Sequence, residues 1–67
     1  MEAKKLKDLK PGEWFTYKPI EEPTERQVYI RNHYWREEKK YSVSKWSDYN
    51  YEAFRKGETI VYVGFTF

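Results

Sequence analysis

Sixty-seven residues without a cysteine make one small domain, residues 1–67, that has neither a disulfide framework nor a thiolate metal site to hold it together. Thirteen basic against eleven acidic residues leave a net charge of +2, which is a statement about solubility before it is one about a polyanion partner. No apolar run approaches the roughly 18 residues of a membrane span, and no signal-like segment follows Met1-Glu2-Ala3-Lys4-Lys5, so the expectation is a cytoplasmic protein with no membrane partner.

Residues Met1 to Lys10 are basic and polar apart from Leu6 and Leu9, whose spacing suits one side of a single helical turn that lids the core. Pro11-Gly12 breaks that turn and launches a strand from Glu13 to Lys18 carrying Trp14, Phe15 and Tyr17. From Lys18 to Arg26, two prolines and three glutamates exclude both helix interior and central strand, and the segment reads as a solvated loop anchored by Ile20.

The centre of the chain, Gln27 to Trp46, reads as a hairpin of two strands, Gln27–Arg36 and Tyr41–Trp46, about a turn at Glu37–Lys40. Turning about Glu38-Lys39 sets Tyr34 opposite Val43, Trp35 opposite Ser42, His33 opposite Ser44 and Arg31 opposite Trp46. That register sorts the hairpin into an apolar face (Val28, Ile30, Tyr34, Val43) and an amphipathic one (Tyr29, Arg31, His33, Trp35, Ser42, Ser44, Trp46). Ser47-Asp48-Tyr49-Asn50 then carries helix-start chemistry, Tyr51 to Arg55 would form a helical turn, and Gly57 would stop it. The last strand, Glu58 to Phe67, places Val61, Val63, Phe65 and Phe67 on one parity, which predicts a C-terminus pinned by a core residue. Leu9 to Tyr17 and Phe54 to Tyr62 echo one another in Gly, Glu and Tyr, as one turn-to-strand device used twice.

These elements amount to an all-β fold of four to five short antiparallel strands, with one short helical turn before the last strand. Their order, together with Lys-Pro-Gly-Glu and Lys-Gly-Glu turns leading into hydrophobic strands, resembles the small SH3-like barrels. The resemblance implies a small β-barrel and a binding module. It does not extend to proline-peptide recognition, because the acidic, Trp-Trp and Ala-Leu-Tyr-Asp-Tyr signatures of that activity are missing. The stretches Val28 to Arg36, Lys40-Tyr41-Ser42 and Asp48 to Asn50 and the Val-Tyr-Val-Gly-Phe-Thr-Phe ending also resemble short uncharacterised bacterial or phage proteins, a likeness that implies no function. A Glu- and Lys-filled surface with Met only at the start equally fits an engineered or redesigned sequence.

Catalysis has little to work with. His33 is the only histidine, and the serines have no base and orienter placed beside them, so no enzyme activity, small-molecule substrate or cofactor is expected. A lone histidine among scattered carboxylates has no metal-ligand spacing, and Asp48-Tyr49-Asn50 is only a fragment of a calcium loop. The candidate site is the amphipathic hairpin face: Tyr29, Arg31, His33, Trp35 and Trp46 offer flat rings beside a guanidinium, the means by which small barrels stack unpaired bases and hold phosphates. Single-stranded nucleic acid is therefore one expected partner of what should be a monomer. A protein or peptide is the other, since Tyr, Trp and Arg also dominate interface hot spots. The same residues have a purely structural reading, as rings folded over one end of a small domain or stacked on Arg31.

Overall fold

The computed structural model describes the backbone of residues 1–67 and every side chain except that of Tyr49. Six strands alternate with two 3-10 turns: β1 (Glu2–Lys5), a turn at Leu6–Asp8, β2 (Trp14–Phe15), a turn at Glu25–Gln27, β3 (Tyr29–Trp35), β4 (Lys40–Lys45), β5 (Asp48–Arg55) and β6 (Ile60–Val63). The protein is all-β, and every strand pair is antiparallel. Strands β2-β3-β4-β5 form one sheet in sequence order and β1 pairs with β6 in a second. Reciprocal backbone bonds between Thr16 and Tyr62, at 3.0 and 2.9 Å, stitch the two together just beyond β2. Among the described residues no pairing joins β1 to β5, so the sheets pack against each other without closing into a barrel.

Leu6 and Leu9 do lie on one helical turn, closed by a bond from the Leu9 N–H to the Leu6 carbonyl, and both are buried. They meet Phe15, Val43, Val61 and Val63 in the core, with Tyr17, Tyr29 and Tyr41 packed around it. Lys10-Pro11-Gly12-Glu13 closes as a β-turn, Glu13 N–H donating to the Lys10 carbonyl at 3.0 Å, and Gly12 takes the positive φ of 88° that its third position demands. The Lys56–Thr59 turn is closed likewise at 3.0 Å, but there Gly57 is second and has no positive φ. The sequence echo thus covers two different turns.

The hairpin forms in another register. Val28 and Trp46 are joined by a backbone bond, Tyr29 faces Lys45, Ile30 faces Ser44 and Arg31 faces Val43. A bulge between Arg31 and Tyr34 then shifts the pairing, so that Tyr34 faces Tyr41 and Trp35 faces Lys40. Side chains directly opposite share a face, so Arg31 lies with Val43 on the core side rather than with Trp46 on the wet side. The extra residue of the bulge reverses parity again, which puts Tyr34 beside Tyr41 and separates it from Val28 and Ile30.

Two further expectations are corrected. Tyr51 to Arg55 is strand, not a helical turn: Ala53 faces Val43 and Phe54 faces Ser42 across β5. The Asp48 carboxylate closes a local turn by accepting the Asn50 N–H at 3.1 Å, and strand pairing with β4 then takes over from the helix-start chemistry. The chain also does not end on a core residue. Gly64, at φ 82°, ends β6, and Phe67 is 49% exposed. The tail is nevertheless tied down, because the Thr66 N–H donates to the Glu21 carbonyl at 2.9 Å.

Candidate functional site

The five side chains expected on one face are distributed over both sides of the four-stranded sheet. Arg31 is only 7% exposed, its guanidinium carbon 4.1 Å from the centre of the Tyr41 ring. Tyr29 is half-buried beside the core. Trp35 and Trp46 lie on the opposite, outer side, Trp35 against Phe54 at 5.6 Å and Trp46 against Trp14 at 4.9 Å. His33 is exposed in the bulge. No continuous surface of these five exists, because the observed register sends Tyr29 and Arg31 to the face of Val43, from which the register expected from sequence kept them apart.

Tyr29 instead belongs to a row of rings on the inner side of the sheet. It stacks on Phe15 at 5.9 Å and meets Tyr17 edge to face at 4.7 Å and Tyr51 at 6.0 Å. Each strand positions its ring for a plain reason. Tyr29 pairs opposite Phe15 in β2, and Tyr51 shares the parity of Ala53, whose partner is the buried Val43. Tyr17 follows the Thr16–Tyr62 bridge, and its own position is secured by the Thr16 hydroxyl donating to the Lys18 carbonyl at 2.7 Å.

Cations ring these tyrosines. The Lys45 ammonium lies 5.9 Å from the Tyr29 ring centre and 5.7 Å from that of Tyr51, and the Arg55 guanidinium lies 5.9 Å from that of Tyr17. Lys18 and Arg26, with Gln27 and Ile20, wall a hollow of about 280 Å³ against Tyr17 and Tyr29. That is just under the roughly 300 Å³ at which small-molecule sites begin, so the hollow suits one flat ring. Among the described residues, none of Lys18, Arg26, Lys45 and Arg55 has a carboxylate within ion-pair distance.

The Tyr17 hydroxyl is buried without a hydrogen-bond partner among the described residues, and burial raises its pKa above the ordinary 10.0, the nearby Arg55 charge offsetting only part of the effect. Thr24 and Gln27 hold the far wall with a capping box, the Thr24 N–H donating to the Gln27 side-chain oxygen at 2.9 Å. Of this groove, Tyr29 is one of the five site residues expected from sequence, and Lys45, with Arg31 and Arg36, is expected there as a phosphate contact. Tyr51 is hidden by the helix-start chemistry before it, while Arg55 gains its meaning only once its strand is paired.

The outer face carries Trp14, Trp46 and Phe67 at one end, exposed by 40, 44 and 49%. Their ring centres lie 4.9 to 5.9 Å apart, so each already has an aromatic partner. Among the described residues no three His, Cys, Asp or Glu side chains converge on a metal-sized site, and no helix is long and apolar enough to cross a membrane. Comparison of the chain with family models, with curated proteins and with solved structures found no match.

Proposed function

We propose that the chain is a non-enzymatic binding module that takes single-stranded nucleic acid along the tyrosine groove of the inner sheet side. The observation that carries this reading is the row Tyr17–Tyr29–Tyr51 bordered by Lys18, Arg26, Lys45 and Arg55 with no carboxylate paired to any of them. Rings in a row accept successive bases whatever their sequence, and unpaired cations along both rims suit a phosphate backbone. Each stacked base is worth about 1–3 kcal/mol, enough for binding at low salt with two or three bases engaged. The meander of β2 to β5, flanked by the pairing of first and last strands, supports an SH3-like reading of the architecture.

An NMR titration with short single-stranded oligonucleotides tests the proposal. Amide shifts are expected at Tyr17, Tyr29 and Tyr51, and four phosphate contacts predict a log–log salt slope of roughly −3. Lys45→Gln with Arg55→Gln should flatten that slope while leaving the fold intact. Absence of shifts at these amides sinks the reading. A salt-insensitive lysate partner lost on Trp46→Ala would move the function to the outer face and to a protein partner, for which the exposed Trp14, Trp46 and Phe67 are the natural anchors.

A further inference from the structure

A second cationic cleft lies at the other end of the core, where the β3–β4 turn meets the β5–β6 turn. Tyr34, Tyr41, Lys7, Lys39, Lys40 and Lys56 line it, together with Glu38, Gly57 and Glu58. The two tyrosines meet edge to face with centres 5.0 Å apart, and Tyr34 is 49% exposed. Gly57 makes this closeness possible: a Cβ there would lie 3.0 Å from the Lys7 Cβ and 3.1 Å from the Tyr41 Cε2. A side chain there would require the Lys7 stem or the Tyr41 ring to give way by a few tenths of an ångström.

The charges in this cleft are unequal in their commitments. Glu58 is held by Lys5 at 2.9 Å and Lys7 at 2.8 Å, which drives its carboxyl down to about 2. Lys39, Lys40 and Lys56 have no carboxylate within ion-pair distance among the described residues, and only Glu38 opposes them. Beneath Tyr41 lies the Arg31 guanidinium, nine-tenths buried, its Nε and Nη1 without a partner among the described residues. An interior cation with no counter-ion adds to the positive potential over the ring above it. An exposed flat ring in a cleft lined by the uncommitted Lys39 and Lys56 suits a ligand that is itself flat at one end and anionic at the other.

We propose that this cleft binds a nucleoside phosphate, its base laid on the exposed side of Tyr34 and its phosphate between Lys39 and Lys56. The site is separate from the tyrosine groove and does not depend on it. The test is a set of NMR titrations of the full chain at low ionic strength with adenosine monophosphate, with adenosine and with inorganic phosphate. The monophosphate should shift the Tyr34, Lys40 and Gly57 amides, and either half alone should bind them at least about tenfold more weakly, because stacking and charge pairing each lose the other's help. The double variant Lys39→Asn, Lys56→Gln should weaken the monophosphate by about tenfold, and it should fold, since asparagine tolerates the positive φ of 55° at position 39. Adenosine acting as well as the monophosphate, phosphate alone acting as well, shifts that survive the double variant, or no shift at these amides would each overturn the proposal. The Tyr29 and Tyr51 amides report the groove in the same spectra, so failure of one site is read apart from failure of the other.

Discussion

Arg31 sits against the Tyr41 ring with two buried nitrogens unbonded and no carboxylate within reach among the described residues. Each buried donor without an acceptor costs about 1–3 kcal/mol, against a return of about 2 kcal/mol or more from a desolvated cation–π contact. Methionine keeps the unbranched stem on the tyrosine ring and drops the charge, so Arg31→Met should leave stability unchanged or raise it by about 1 kcal/mol, read from the midpoint of urea denaturation. A loss of 2 kcal/mol or more would mean that the guanidinium has a strong interaction of its own. Glu58 works in the opposite direction. Its carboxyl is lowered from 4.5 to about 2 by hydrogen bonds from Lys7 and Lys5. A lowered folded pKa contributes stability that is present above the unfolded value and is lost as pH falls. The difference in denaturation midpoint between the wild type and Glu58→Gln should therefore be constant above about pH 4.5, shrink below it and vanish near pH 2. Because these groups are exposed, 1 M salt should shrink the same difference at neutral pH. A difference that persists at pH 2 would refute the ion-pair account.

At the scale of the elements, the sequence signals that survived are those with a local cause. The Pro-Gly turn, the Leu6–Leu9 helical turn, the proline-bearing loop and the alternating β3 and β4 segments are each dictated by residues within a few positions of one another. What failed depended on partners distant in sequence. Alternation marks β3 as a strand, yet it cannot say which parity faces the core when Tyr29, Arg31 and Tyr34 are all amphipathic. The bulge at Asn32 and His33 has no composition signature, although the structure shows what it accommodates: the Asn32 amide donates to the Ser44 hydroxyl at 2.6 Å. Segment 51–55 was misread because Ser47, Asp48 and Asn50 serve a β-turn as well as a helix start, and only the facing strand β4 decides between them. The candidate site inherited that error. Tyr29 was legible in it, Tyr51 and Arg55 were not, and Arg31 moved from the binding surface to the interior with the change of register.

For the molecule as a whole, stability rests on very few side chains. Among the described residues the fully or nearly buried hydrophobics are Leu6, Leu9, Phe15, Val28, Val43, Val61 and Val63, and Phe15 is the one large ring among these. Tyr17 and Tyr29 pack directly on it, so it also sets the floor of the groove. A core at this chain length supplies about 3–5 kcal/mol of net stability, and truncating a buried phenylalanine to alanine removes about 3–5 kcal/mol. Phe15→Ala should therefore be largely unfolded at 25 °C, with its near-ultraviolet circular dichroism lost and its amide spectrum collapsed. Trp46→Ala removes a ring that is 44% exposed and leaves Trp14 and Phe67 in contact with each other at 5.6 Å. It should cost no more than about 1–1.5 kcal/mol and leave a cooperative melt. The comparison separates the two aromatic clusters by their work, the inner one holding the fold and the outer one decorating it. Should Phe15→Ala retain a cooperative transition well above room temperature, the chain would hold more stability than a natural core of this size supplies, as idealised sequences do, and the engineered reading of its Glu- and Lys-filled surface would gain at the expense of a natural one.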